Sequence, residues 1–118
     1  MNQIVNLSYR LNLGQKQYLI EIFNDETQSG LTIELPAGKW DRGIIVNLLV
    51  RSKYPQDSVE ALVNNHLLAM AEWQDKIFAG ENPGKFEDPE YNELQRWRIE
   101  SKALADEIIK LIEKTKTE

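Results

Sequence analysis

His66 is the only histidine and cysteine is absent, so acid–base or nucleophilic chemistry near neutral pH would rest on one imidazole and an Asp or Glu brought in from elsewhere. No nucleophile motif accompanies it. His66 follows Asn64-Asn65 on a helical stretch, where a polar residue on the flank accounts for it without chemistry. The lack of cysteine also removes thiolate zinc sites and disulfides. Glu72 and Asp75 stand three apart, but hard cations need several convergent oxygens and no known loop spacing is present. Gly38 and Gly43 form neither nucleotide fingerprint. The chain therefore reads as non-enzymatic, with no cofactor and no metal. The second reading is a small ligand-binding domain or enzyme using His66 with nearby carboxylates.

The charged residues have similarly plain explanations. Glu81, Glu87, Asp88, Glu90 and Glu93 form the densest acidic segment, and those at the start of a helix complement its macrodipole by about 0.3–1 kcal/mol each. Arg96, Arg98 and Lys102, with Arg51 and Lys53, are candidate phosphate contacts. Glu93, Glu100 and Asp106 lie within helical reach of the first three, which predicts a solvated, salt-bridged face and argues against a nucleic-acid groove. Net charge is −5, with residues 1–56 at +1 and residues 57–118 at −6. Trp73 and Trp97 fall on apolar helical seams and read as packing, whereas Trp40, between Lys39 and Asp41 and just after a Pro-Ala-Gly turn, is expected to be partly exposed.

These residues need elements to hold them. Val5, Leu7, Tyr9, Leu11 and Leu13 alternate with Asn6, Ser8, Arg10 and Asn12, the period of a half-buried strand. Gly14-Gln15 predicts a tight turn into Gln17–Phe23, and Leu31–Leu35 predicts a third strand ended by Pro36. Residues 1–36 thus read as an antiparallel β-meander, which needs cover on its apolar face. Asp41 can cap a helix over 39–53, although Ile44–Val50 also suits a buried strand; Tyr54-Pro55 ends it. Asp57-Ser58-Val59-Glu60 resembles a capping box opening a helix over 57–79, whose stripe is Val59, Leu62, Val63, Leu67, Met70, Trp73 and Ile77. Asp88-Pro89 opens a last helix over 88–114, with Leu94, Trp97, Ser101, Leu104, Ile108 and Leu111 at three- and four-residue steps. The last two helices are expected to pair as an antiparallel hairpin, and the tail from Lys114 to fray.

The expected architecture is a single α+β domain of 118 residues: a three-stranded meander followed by three helices. Leu19 and Phe23 would lie on the sheet face away from the helices. With Trp40 and the strand edges they are the candidate interaction surface, for a protein partner or a second copy. Met1–Asn6 shows no secretory signal, and no apolar run is long enough for a membrane span, so a cytoplasmic protein is expected. The stretch Leu49–Leu62 (LVRSKYPQDSVEAL), followed by Glu90–Arg98 (EYNELQRWR), resembles small uncharacterised proteins of phage and prophage-type gene clusters. That resemblance spans the C-terminal two-thirds and implies an accessory or assembly role, with no catalytic residue to carry over.

Overall fold

The structure is a computed structural model and describes residues 1–116; of the expected fraying tail, Thr117 and Glu118 lie outside the described residues. The chain is α+β, with strands β1 (Asn2–Asn12), β2 (Gln15–Asn24) and β3 (Ser29–Glu34) followed by helices α1 (Arg42–Lys53), α2 (Gln56–Phe78) and α3 (Pro89–Lys116). The sheet is antiparallel in the order β1-β2-β3. Helix α3 runs on through Lys116, so Lys114–Lys116 are helical where fraying was expected.

The alternation in β1 is broken by a bulge. Ile4 pairs with Ile22 and Asn6 with Glu21, which leaves Val5 as the extra residue. The parity of the inward face flips there, so Ile4 and Leu7 pack on the core while Val5 is exposed. Tyr9 and Leu11 keep the inward side but extend past the helices and stay open to solvent. The β1–β2 connection places Leu13 (φ 53°) and Gly14 (φ 80°) both in the left-handed region, the two-residue turn that matches the strand twist. Leu13 is a poor residue for it, because its Cβ is strained at positive φ.

Ile44–Val50 is helical and not a strand. Asp41 Oδ1 accepts from the Ile44 N–H at 2.9 Å, and Ile45 and Leu49, one turn apart, are both buried. Tyr54 terminates α1 in an extended conformation before Pro55. The capping box expected at Asp57 does not form: α2 starts at Gln56, preceded by Pro55, with no side-chain cap.

The core lies between the inner sheet face (Tyr18, Ile20, Ile22, Ile33, Leu35), α1 and the C-terminal half of α3. Each fully buried Ile or Leu contributes about 1.5–3 kcal/mol. The seam residues Leu94, Trp97, Ser101, Leu104 and Ile108 are buried, with Ile112 taking the place expected for the more exposed Leu111. From Trp97 onward that seam packs into the core formed with α1 and the sheet, while Leu94, also buried, lies outside that cluster at the start of α3, where α2 runs alongside. The Trp97 indole N–H donates to the Leu49 carbonyl at 3.0 Å, an oxygen that also accepts from the Ser52 hydroxyl, so the buried indole is satisfied and α3 is tied to α1. Arg42 of α1 bonds Asp106 of α3 at 2.8 Å, and that hydrogen bond holds the Asp106 carboxyl below the ordinary carboxylate range.

Helix α2 runs antiparallel to the start of α3 but buries no residue. Of its predicted stripe, Val59, Leu62, Val63, Met70 and Trp73 are half-buried, Ile77 is largely exposed, and Leu67 turns outward. It projects as an arm, and with the β1–β2 hairpin reaching past the helices the molecule is elongated, with extents of 65 × 29 × 22 Å and a radius of gyration of 19.0 Å. A compact chain of this length would have a radius of gyration of about 13.5 Å.

Two substitutions test this reading. Leu13→Asn relieves the left-handed strain and is expected to raise stability by about 0.5–1 kcal/mol, read as a higher urea midpoint. Ser101 is fully buried and its hydroxyl has no hydrogen-bond partner among the described residues, so Ser101→Ala is expected to stabilise by about 1–2 kcal/mol in the same assay.

Candidate interaction surface

The arm is held in place by a small polar and aromatic fastening. Asp88 caps α3 by accepting from the Tyr91 N–H at 3.2 Å, and its other oxygen lies 3.0 Å from His66 Nδ1 on α2. The imidazole stacks on Tyr91, with centroids 3.6 Å apart and planes within 12°, and meets the Phe86 ring edgewise at 5.5 Å. Two turns further on, the Trp73 indole donates to the Gly84 carbonyl at 2.9 Å and its ring lies 5.8 Å from Phe86. The α2–α3 connection is thereby folded back along α2. His66 thus has a carboxylate beside it, but rings close over it and it lines none of the clefts described below. In this setting it works as a clasp between α2 and α3.

The outer sheet face holds Leu19 and Phe23, both half-exposed. The ion pair of Arg10 with Glu34 spans β2 across the row that holds Leu19, and Phe23 lies beside Gly30 and Gln3. Trp40 is half-buried and packs edge-on to Tyr18 at 6.3 Å.

The tip of the β1–β2 hairpin exposes Tyr9, Leu11 and Leu13, and a further apolar exposure is on α2, whose Leu67 the spacing assigns to the core. Glu60, Asn64, Leu67, Ala71, Gln74 and Phe78 recur at four- and three-residue steps along one line, all exposed. The adjacent line carries Asp57, Ala61, Leu68, Glu72 and Asp75. Leu67, Leu68 and Phe78 are 58%, 64% and 87% exposed. Glu72 and Asp75 belong to this open face, and among the described residues no three His, Asp or Glu groups gather as a metal site. Phe78 was not singled out from the sequence; its place two lines off the inward stripe was the available signal.

The basic residues are arranged differently from the salt-bridged face that their spacing predicts. Glu93 turns to Lys53 at 3.9 Å, Glu100 accepts from the Asn2 amide at 2.6 Å, and Asp106 holds Arg42. Arg98 and Lys102 are left without them, and with Arg51 they line a cleft of about 340 Å³ between α1, α2 and α3. A second cleft, of about 300 Å³, lies between the β2–β3 turn, the end of α1 and Trp97. Its amides largely satisfy each other: Asn24 donates to Asn2 at 3.0 Å, and Asn24 Oδ1 accepts from the Glu26 and Thr27 N–H groups. No helix among the described residues is long and apolar enough to cross a membrane. Compared with protein-family models, curated proteins and solved structures, the chain matches none.

If His66 clasps the arm, His66→Ala is expected to speed amide exchange across α2 by about tenfold while leaving exchange in β2 and in α3 beyond Leu104 unchanged. Equal acceleration in both regions, or in neither, would contradict the clasp.

Proposed function

We propose that the protein is a non-enzymatic interaction or assembly module whose outward α2 face receives a basic, apolar-striped helix of another protein. The observation that carries this reading is the α2 arm itself, which buries none of its residues and exposes Leu67, Leu68 and Phe78. Such a cluster on a soluble monomer marks a contact surface more often than chance exposure. The accessible surface supports it: 8244 Å² for 13.7 kDa, against about 6,600 Å² for a compact chain of that mass. The excess of about 1,600 Å² is shared between the α2 arm and the protruding β1–β2 hairpin, and it is twice what one partner contributes to an interface of standard size.

Charge selects the partner. Residues 56–93 carry nine acidic and two basic side chains, a net of −7, whereas residues 1–55 and 94–118 each carry six basic and five acidic ones, a net of +1. Helix α2 itself contributes four acids and one base, and the connection and first turn of α3 supply the rest, so this acidic segment holds more than the whole net charge of the protein. A second copy laid on the same face would set acid against acid, and a nucleic acid would meet the wrong sign, so the complement is cationic. An accessory or assembly role of this kind agrees with the resemblance to phage-type proteins, and the lack of cysteine agrees with a cytoplasmic setting.

A labelled Lys/Leu amphipathic peptide of α2's length provides the test, with a scrambled peptide of equal charge and a Glu/Leu peptide as controls. Only the first is expected to bind by fluorescence anisotropy, at least tenfold more weakly to the double variant Leu67→Ser, Leu68→Ser. Both positions are exposed, so that variant should keep its stability within about 0.5 kcal/mol. Equal binding of the scrambled peptide, or full binding by the variant, would defeat the reading. A dimer in light scattering that the variant dissolves would assign the face to a second copy instead.

A further inference from the structure

The cleft between the three helices has a composition that its surroundings do not explain. Arg98 and Lys102, one turn apart on α3, and Arg51 on α1 stand around a floor that includes Val46, Val50 and Val59, and no carboxylate lines it. The ion pairs found among the described residues leave all three cations out. Arg51 makes only a 3.4 Å hydrogen bond to Gln56 Oε1, and the Gln56 amide in turn donates to Glu60 at 3.1 Å. The acids of α3 nearest to Arg98 and Lys102 along the helix, Glu100 and Asp106, are committed elsewhere, to Asn2 and Arg42. Like charges gathered in one concavity repel one another, and a protein of net charge −5 has carboxylates to spare.

We infer that this cleft binds a small phosphate monoester with a compact apolar body. Two guanidinium forks match phosphate oxygens two at a time, and the Lys102 ammonium adds a point charge for a group that carries about −1.5 to −2 at pH 7. The valine floor takes the apolar body. A volume of about 340 Å³ sits at the small end of ligand pockets, which suits a ring-sized body better than a nucleotide. The walls come from α1, α3 and the first turn of α2, through Gln56 and Val59, so an occupied cleft ties down the root of the arm. This site is separate from the outward α2 face and stands or falls independently of it.

The test uses the full ¹⁵N-labelled chain with three probes: phenyl phosphate, inorganic phosphate and phosphatidic acid vesicles. Phenyl phosphate is expected to shift the amides of residues 50–59 and the Arg51 and Arg98 side-chain signals saturably, and to bind at least about fivefold tighter than inorganic phosphate. Arg98→Gln and Lys102→Gln should each weaken it about tenfold, and Arg98→Lys by less, with the far-UV spectrum unchanged. Bound ester should also slow amide exchange in the first turns of α2. Non-saturating shifts, shifts shared equally by the remote Arg10 and Lys16, equal affinity for the two soluble phosphates, or indifference to Arg98→Gln would overturn the proposal. So would preferential retention by the vesicles, which would place the phosphate in a lipid headgroup.

Discussion

The structure depends on a choice made by one helix: α3 has a single continuous apolar seam, and a seam can face one partner. Trp97, Leu104 and Ile108 commit it to α1 and the sheet, where the indole N–H meets the Leu49 carbonyl. The sheet requires this, because three strands with Ile20, Ile22 and Ile33 on one face are not stable in water unless that face is covered. Once α1 and α3 have covered it, nothing apolar is left for α2 to pack on in full. Its inner stripe is half-buried against the start of α3 and the folded-back connection, and its outer side stays in solvent.

The charge distribution follows the same division. In the body of the protein, acids and bases nearly cancel and find partners across elements, as Arg42 does with Asp106 and Arg10 with Glu34. On the arm the acids outnumber the bases heavily and surround exposed leucines and a phenylalanine. The body therefore carries little net charge, and the acidic segment carries an excess that its own two lysines do not balance. At the junction of the two, Arg98 and Lys102 of α3 and Arg51 of α1 have no ion pair among the described residues: Glu100 and Asp106 of α3 turn toward Asn2 of the sheet and Arg42 of α1, and α1 carries no carboxylate.

Much of the fold was legible in the chain. Period two up to Leu35 and steps of three and four from Val59 separate strands from helices, since each geometry puts a different set of side chains on one face. Asp41 and Asp88 act as caps, and Tyr54-Pro55 breaks the chain where expected. The bulge at Val5 was not legible, because an unbroken alternation carries no mark of one extra residue. The partner of the α3 seam was not legible either, as a heptad-like spacing states that a face is apolar without saying what it will meet. For the same reason Leu67 was read as core, and His66 gave no sign that Asp88, Tyr91 and Phe86 would enclose it.

By itself the sequence determined the element order, the α+β class and the absence of thiol chemistry, because these follow from local backbone preferences and residue inventory. The tertiary structure alone decided which helix would be left over, which carboxylate each cation would meet, and which apolar residues would remain in water. Those outcomes depend on distances between residues far apart in the chain, such as Asn2 and Glu100 or Leu49 and Trp97, and no local pattern encodes them.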